Sequence, residues 1–133
     1  MGRISVDEYY LGIAKAVSQR SSCLRRQYGA VIVNEREVVA TGYNGGCRGE
    51  TNCCDVGICK RVGKSHNTGD YSECESVHAE QNCMLSASRK EMLGATLYLW
   101  GGENGKPIDC KPCPICSRMI KNAGIVRVVC SKE

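Results

Sequence analysis

The chain has 133 residues, with 18 Lys and Arg against 14 Asp and Glu, a formal net charge of +4. That length fits a single domain over residues 1–133, large enough to bury its own core. The mild positive charge suits an anionic small molecule but is too weak to suggest duplex DNA as a partner. No apolar run could span a bilayer, and the polar N-terminal residues show no signal-peptide pattern, so a cytoplasmic protein without a membrane partner is expected.

Residues 5–19 read as a first helix. Ser5 is placed to cap it, Glu8 completes a capping box, and Tyr9, Ile13, Ala16 and Val17 recur at helical spacing. Residues 28–33 and 38–43 read as strands joined by the polar turn 34–37, a hairpin. Gly42-Tyr43-Asn44-Gly45-Gly46-Cys47-Arg48-Gly49 follows as a glycine-rich loop. Its glycines suit either a close approach to a ligand or a plain turn.

Residues 47–74 form a cysteine-rich loop, and from residue 51 there is little secondary-structure signal. The stretch carries Cys53, Cys54, Cys59, His66 and Cys74. So long an irregular stretch inside a compact domain needs a staple, and a structural zinc is the natural one, with Cys23 as a ligand from outside the loop. The chain has 11 cysteines. The odd number, the absent secretion signal and the metal-like spacing favour bound metal in a reducing compartment over disulfides.

Residues 77–89 read as a helix, 95–100 as a strand and 101–111 as a polar loop. Residues 113–122 read as a helix with Pro114 at its first position and Gly124 as its C-cap, and 125–130 as a last strand. Strands joined by helices after an opening hairpin imply an α/β fold, a mixed sheet with helices on its faces.

The chemistry concentrates in two stretches. Ser76-Val77-His78-Ala79-Glu80 supplies an imidazole and a carboxylate; Pro112-Cys113-Pro114-Ile115-Cys116 supplies two thiols. Cys113 and Cys116 share a helix face, at the positive end of the helix dipole that favours thiolates. Two thiolates and a neutral imidazole balance Zn²⁺ and leave a coordination position for water, with Glu80 beside it to move protons. Alone, a Cys-x-x-Cys could be a redox pair, half of a structural zinc knuckle or two buried thiols. A lone His is more often structural. Together the two stretches match the His-x-Glu and Pro-Cys-x-x-Cys signature of zinc nucleobase deaminases.

From about residue 3 to 129 the chain resembles the cytidine deaminase superfamily, and within it the deoxycytidylate (dCMP) deaminase family. Carrying the resemblance are Val77-His78-Ala79-Glu80-Gln81-Asn82, Pro112-Cys113-x-x-Cys116 and Gly42-Tyr43-Asn44-Gly45. Arg20-Ser21-Ser22-Cys23, Tyr28-Gly29-Ala30-Val31, the segment 53–59 and Cys74 add to it. The resemblance implies a three-layer α/β/α fold around a mixed sheet of about five strands. It implies that His78, Cys113 and Cys116 hold a catalytic zinc whose hydroxide attacks C4 of cytosine, while Glu80 shuttles protons, turning dCMP into dUMP for thymidylate synthesis. Asn44 would contact sugar or base, the Ala79 backbone the cytosine edge, and one of Arg25, Arg26 and Arg48, taken here as Arg26, the phosphate. Cys23, Cys53 and Cys74 match ligand positions of a second, structural zinc, with Cys59 as the fourth and His66 the runner-up. Family members are often homohexamers activated by dCTP and inhibited by dTTP.

Close variants are action on dCTP or on 5-substituted dCMP. A tRNA adenosine deaminase would share both zinc motifs, but the modest charge and the absence of a Lys/Arg-rich tail argue against it. A zinc-stabilised binding module without catalysis would leave Glu80 unexplained.

Overall fold

The computed structural model describes residues 2–49 and 76–133. Helix α1 (Val6–Ser18) leads to strands β1 (Gln27–Asn34), β2 (Glu37–Tyr43) and the short β3 (Gly45–Gly46). After β4 (Ser76–Val77) come helices α2 (Ala79–Leu85) and α3 (Arg89–Met92). Strands β5 (Thr96–Glu103) and β6 (Lys106–Pro107), helix α4 (Pro114–Ala123) and strand β7 (Arg127–Cys130) complete the chain.

The start of α1 follows its sequence signals. The Ser5 hydroxyl accepts from the Glu8 amide at 3.1 Å, and Asp7 and Glu8 lie in the first turn, where the helix dipole favours acids. β1 and β2 pair antiparallel across Glu35 and Arg36, whose φ angles of 50° and 68° give the left-handed turn that suits twisted strands. β5 pairs antiparallel with β1 on one edge. On its other edge lie β7, parallel along Thr96–Leu99, and β6, antiparallel at Gly102 and Glu103. The result is the mixed five-stranded sheet the sequence implied.

Alternation along the strands builds two cores. Ala30, Ile32, Leu97 and Leu99 pack with Ala79, Cys83 and Met84 of α2 and Ile120 and Ala123 of α4. Val31, Val33, Tyr98 and Trp100 face the other way and pack with Tyr10 and Ala14 of α1. Ile32, Leu97 and Leu99 are sealed from solvent, each contributing about 1.5–3 kcal/mol. Helices therefore cover both faces, the α/β/α layering. Tyr10 belongs to the core, and its hydroxyl donates to the Arg36 carbonyl at 2.9 Å.

Two expected boundaries move. The helix expected over 77–89 is two helices, because Ser88 and Glu91 form a capping box that starts a new one. The loop expected over 101–111 is partly strand. β5 continues to Glu103, turns through Asn104 and Gly105 at φ 52° and 78°, and returns as β6.

Gly42 is required by the catalytic-side helix. A Cβ there would overlap the Cys83 amide nitrogen and lie 2.7 Å from the Ala79 carbonyl oxygen, both backbone atoms of α2. Gly42→Ala is expected to destabilise the fold by about 1–3 kcal/mol, the usual range for overpacking, measured as a lower urea midpoint. An unchanged midpoint would mean α2 shifts freely on β2.

On the opposite face, Asp7 ties α1 to the sheet. The Tyr98 hydroxyl donates to its Oδ1 at 2.8 Å, and the Arg127 guanidinium bonds both oxygens. The Arg127 hydrogen bonds, then that from Tyr98, hold the Asp7 carboxyl below its ordinary range. A carboxyl depressed in the folded state stabilises it above the unfolded value of about 3.9, and that contribution fades as pH falls through the lower folded value. Asp7→Asn is therefore expected to melt slightly lower than the unmodified chain at pH 7, with the gap closing below about pH 4. A gap that persists in acid would assign the effect to packing.

Candidate active site

The two chemical stretches meet because both open helices that cover one face of the sheet. His78 is the N-cap of α2 and Cys113 the N-cap of α4; Cys116 is the third residue of α4. The glycine-rich loop places the first of them. Gly45 and Gly46 pair antiparallel with Val77 and Ser76, directly before His78. Asn82 of α2 donates to the Tyr43 carbonyl at 2.8 Å, and Gln81 Oε1 accepts from the His78 amide at 3.0 Å.

His78 Nδ1 lies 3.4 Å from Cys116 Sγ and 3.6 Å from Cys113 Sγ. The three ligand atoms all fall within 4.8 Å of one another, and no other such cluster occurs among the described residues. A tetrahedral zinc with bonds of about 2.0–2.3 Å sets its ligand atoms roughly 3.5–4 Å apart. The donor set therefore fits zinc in chemistry and size, with one position left over among the described groups. The Cys116 amide also donates to Cys113 Sγ at 3.4 Å, as to an N-cap side chain.

Glu80 sits in the first turn of α2 at 5% exposure. Burial raises its carboxyl above the ordinary range, opposed by the helix amide, by His78 and by the Cys116 thiol. Burial and then the Glu80 charge push the Cys116 thiol up as well. A zinc ion reverses that balance, since a coordinating thiol is deprotonated outright. A His/Cys/Cys donor set with a buried carboxyl beside it, and no fourth donor among the described residues, is the arrangement a hydrolytic zinc centre would use.

Residues 4–132 match the family model described as the cytidine and deoxycytidylate deaminase zinc-binding region. The chain belongs to this deaminase family. It is 42% identical to a deoxycytidylate deaminase of Mycobacterium phage D29, covering 100% of this chain and 99% of that one. It is 40% identical to the deoxycytidylate deaminase of Saccharomyces cerevisiae, covering 98% of this chain and 39% of the longer yeast protein. A crystal structure of dCMP deaminase from the cyanophage S-TIM5, in complex with dCMP and dUMP, superposes with a TM-score of 0.72 at 28% identity. That match covers 98% of this chain and 83% of the cyanophage chain.

The other expected site residues are placed as follows. Ala79 is the first residue of α2, 1% exposed, in the turn whose amides have no acceptor within the helix. Asn44 is 6% exposed and already engaged: its Oδ1 accepts from Ser21 Oγ at 2.6 Å and the Tyr28 amide at 2.9 Å, and its Nδ2 donates to the Arg26 carbonyl at 2.9 Å. Among the described residues the second Nδ2 hydrogen has no acceptor, which leaves it for a ligand. The Arg26 side chain pairs with Glu103 at 3.1 Å. Cys23 is half-buried; its amide donates to Ser21 Oγ at 3.2 Å and its carbonyl accepts from Gln27 Nε2 at 2.8 Å. Cys53, Cys59, Cys74 and His66 lie outside the described residues, as does most of the 47–74 loop.

Sequence reasoning missed three neighbours of the site. The Tyr28 ring lies over Gly101, where a Cβ would come 2.6 Å from its Cε1, and the tyrosine feels both Arg26 and Glu80. Glu103 meets Arg26 from the end of β5, and Cys110 lies three residues before Cys113. Arg26 and Glu103 are 77 positions apart, so only the sheet register could pair them. For Tyr28 and Gly101 the signal was available: they are opposed residues of adjacent strands, one ring and one hydrogen.

Proposed function

We propose that this chain catalyses the hydrolytic deamination of dCMP to dUMP. The observation that carries the reading is the cluster of His78 Nδ1 and the Cys113 and Cys116 sulfurs beside the buried carboxyl of Glu80. The relatives named for that activity, one matched along the full length of both chains, support the substrate.

Zinc bound there supplies Lewis acidity and lowers the pKa of water at its open position to about 7. The protein's own groups do the rest. The Glu80 carboxylate lies against the ligands and takes up the proton that water gives up. As a buried acid with a raised proton affinity it is suited to protonate ring N3, and then the departing ammonia. The Ala79 amide, which has no acceptor within the helix, is suited to donate to the cytosine edge. Arg26, paired with Glu103, would meet the phosphate, and Asn44 the sugar or the base.

The finer points of the same reading are a second, structural zinc on Cys23, Cys53, Cys59 and Cys74; a homohexamer; control by dCTP and dTTP; and a cytoplasmic supply of dUMP for thymidylate synthesis.

The test is ammonia release by zinc-loaded protein from dCMP, CMP, dCTP, deoxycytidine, 5-methyl-dCMP and a tRNA anticodon stem. Turnover of dCMP with little on the nucleoside is expected. Activity on the RNA alone would keep the chemistry and overturn the substrate.

A further inference from the structure

Two more cysteines meet on the catalytic side of the sheet, outside the metal-ligand set. Cys110 lies between β6 and α4. Its sulfur is 3.3 Å from the Ser131 hydroxyl, 3.7 Å from the Leu99 carbonyl oxygen and 4.0 Å from the Ser131 carbonyl oxygen. Cys130 ends β7 and is the register partner of Leu99, the residue whose carbonyl oxygen the Cys110 sulfur approaches. Both are half-buried and packed against the same core cluster, close enough that each thiol alters the proton affinity of the other.

The two sulfurs are not equivalent. The Cys130 hydrogen bond, against burial and with help from the Ser131 hydroxyl, holds the Cys110 thiol below its ordinary range. The same hydrogen bond and burial push Cys130 up. Cys110 is thus the nucleophile and Cys130 the partner that keeps its proton. Both are accessible enough for a small reagent, unlike Cys83, which is sealed in the core and pushed up to about 12 by burial.

We propose that Cys110 and Cys130 form an oxidation site at which a small hydroperoxide converts two thiols into one disulfide. The Cys110 sulfur attacks the terminal peroxide oxygen: an S–O bond forms, the O–O bond breaks, and the alcohol leaves with a proton. Cys130 then attacks the Cys110 sulfenic acid: the S–S bond forms, the S–O bond breaks, and water leaves with the Cys130 proton. Two thiols and one hydroperoxide give a disulfide, an alcohol and water, with two electrons passing from sulfur to oxygen. The product ties the segment that leads into Pro112-Cys113 covalently to the end of β7, where hydrogen bonds of Ser131 to Ile108 and of Glu133 to Asp109 already join the two.

The experiment treats the full, zinc-loaded chain with stepwise hydrogen peroxide and follows three readouts: alkylatable thiols, bound zinc and non-reduced peptide maps. The expected result is a peptide holding Cys130 joined to Cys110, assigned by fragmentation between Cys110 and Cys113. It should appear before zinc is released and be reversed by dithiothreitol. In Cys110→Ser, Cys130 should remain alkylatable after the same treatment. Cys130 joined to Cys113 or Cys116, or both Cys110 and Cys130 still free when zinc has already left, would overturn the proposal.

Discussion

Glu80→Gln is expected to fold and bind zinc as the unmodified chain does, and to lose about 10²–10⁴-fold in turnover, the usual contribution of a positioned acid/base group. The amide keeps the volume of the carboxyl and its place in the first turn of α2, so packing against Cys116 survives. The change removes the proton carrier. His78, Cys113 and Cys116 are untouched, so metal content should stay the same. Melting should not fall, because taking a carboxyl out of water costs free energy that a neutral amide costs less of. The measurement is kcat on dCMP beside zinc content and melting of the same preparation. Loss of zinc would make Glu80 a ligand or an organiser of ligands. Full turnover with zinc in place would remove it from the mechanism.

The fold was legible where local pattern and tertiary placement agree. Val31 and Val33 against Ala30 and Ile32 alternate cleanly, and both faces are buried because helices cover both. Ser5 with Glu8, and Cys113 with Pro114 and Gly124, state their helix boundaries within a few residues. The cluster of His78, Cys113 and Cys116 was legible for the same reason: each is written at a helix start, and two helix starts on one sheet face can be read from two short motifs. The Asn104-Gly105 hairpin carried its signal, yet length and polarity suggested a loop. The role of the glycine-rich loop did not follow from composition. Gly42 admits the backbone of α2, and Gly45 and Gly46 pair with the residues before His78, so the loop sets the position of the ligand helix. Pairings such as Arg26 with Glu103, Asp7 with Arg127 and Cys110 with Cys130 depend on strand register and on which face a helix occupies. No local window contains both partners.

Cys116→Ala is the complementary case, in which the metal and not the proton carrier is lost. Cys116 is fully buried at the third position of α4, with its sulfur 3.4 Å from His78 Nδ1. Removing it leaves two ligands, short of the three that a catalytic zinc site uses. Outer-shell partners of a zinc site already change affinity or activity by about 10–100-fold when mutated, so turnover should fall by more than about 10²-fold for a ligand itself. Zinc should drop by one equivalent relative to the unmodified chain, whatever the 47–74 loop binds. Melting should fall too, because binding free energy at such a site is also folding free energy. Chelation of the unmodified chain should lower melting at least as far, and added zinc should restore it fully there but not in the variant. Cys83→Ala separates ligand loss from mere thiol loss. Cys83 is equally buried, packs against Ile32 and Leu97, and lies outside the ligand cluster. It should cost packing and leave zinc in place. A Cys116→Ala protein that keeps its full metal complement and turns over dCMP normally would show that the cluster of His78, Cys113 and Cys116 is not the catalytic centre.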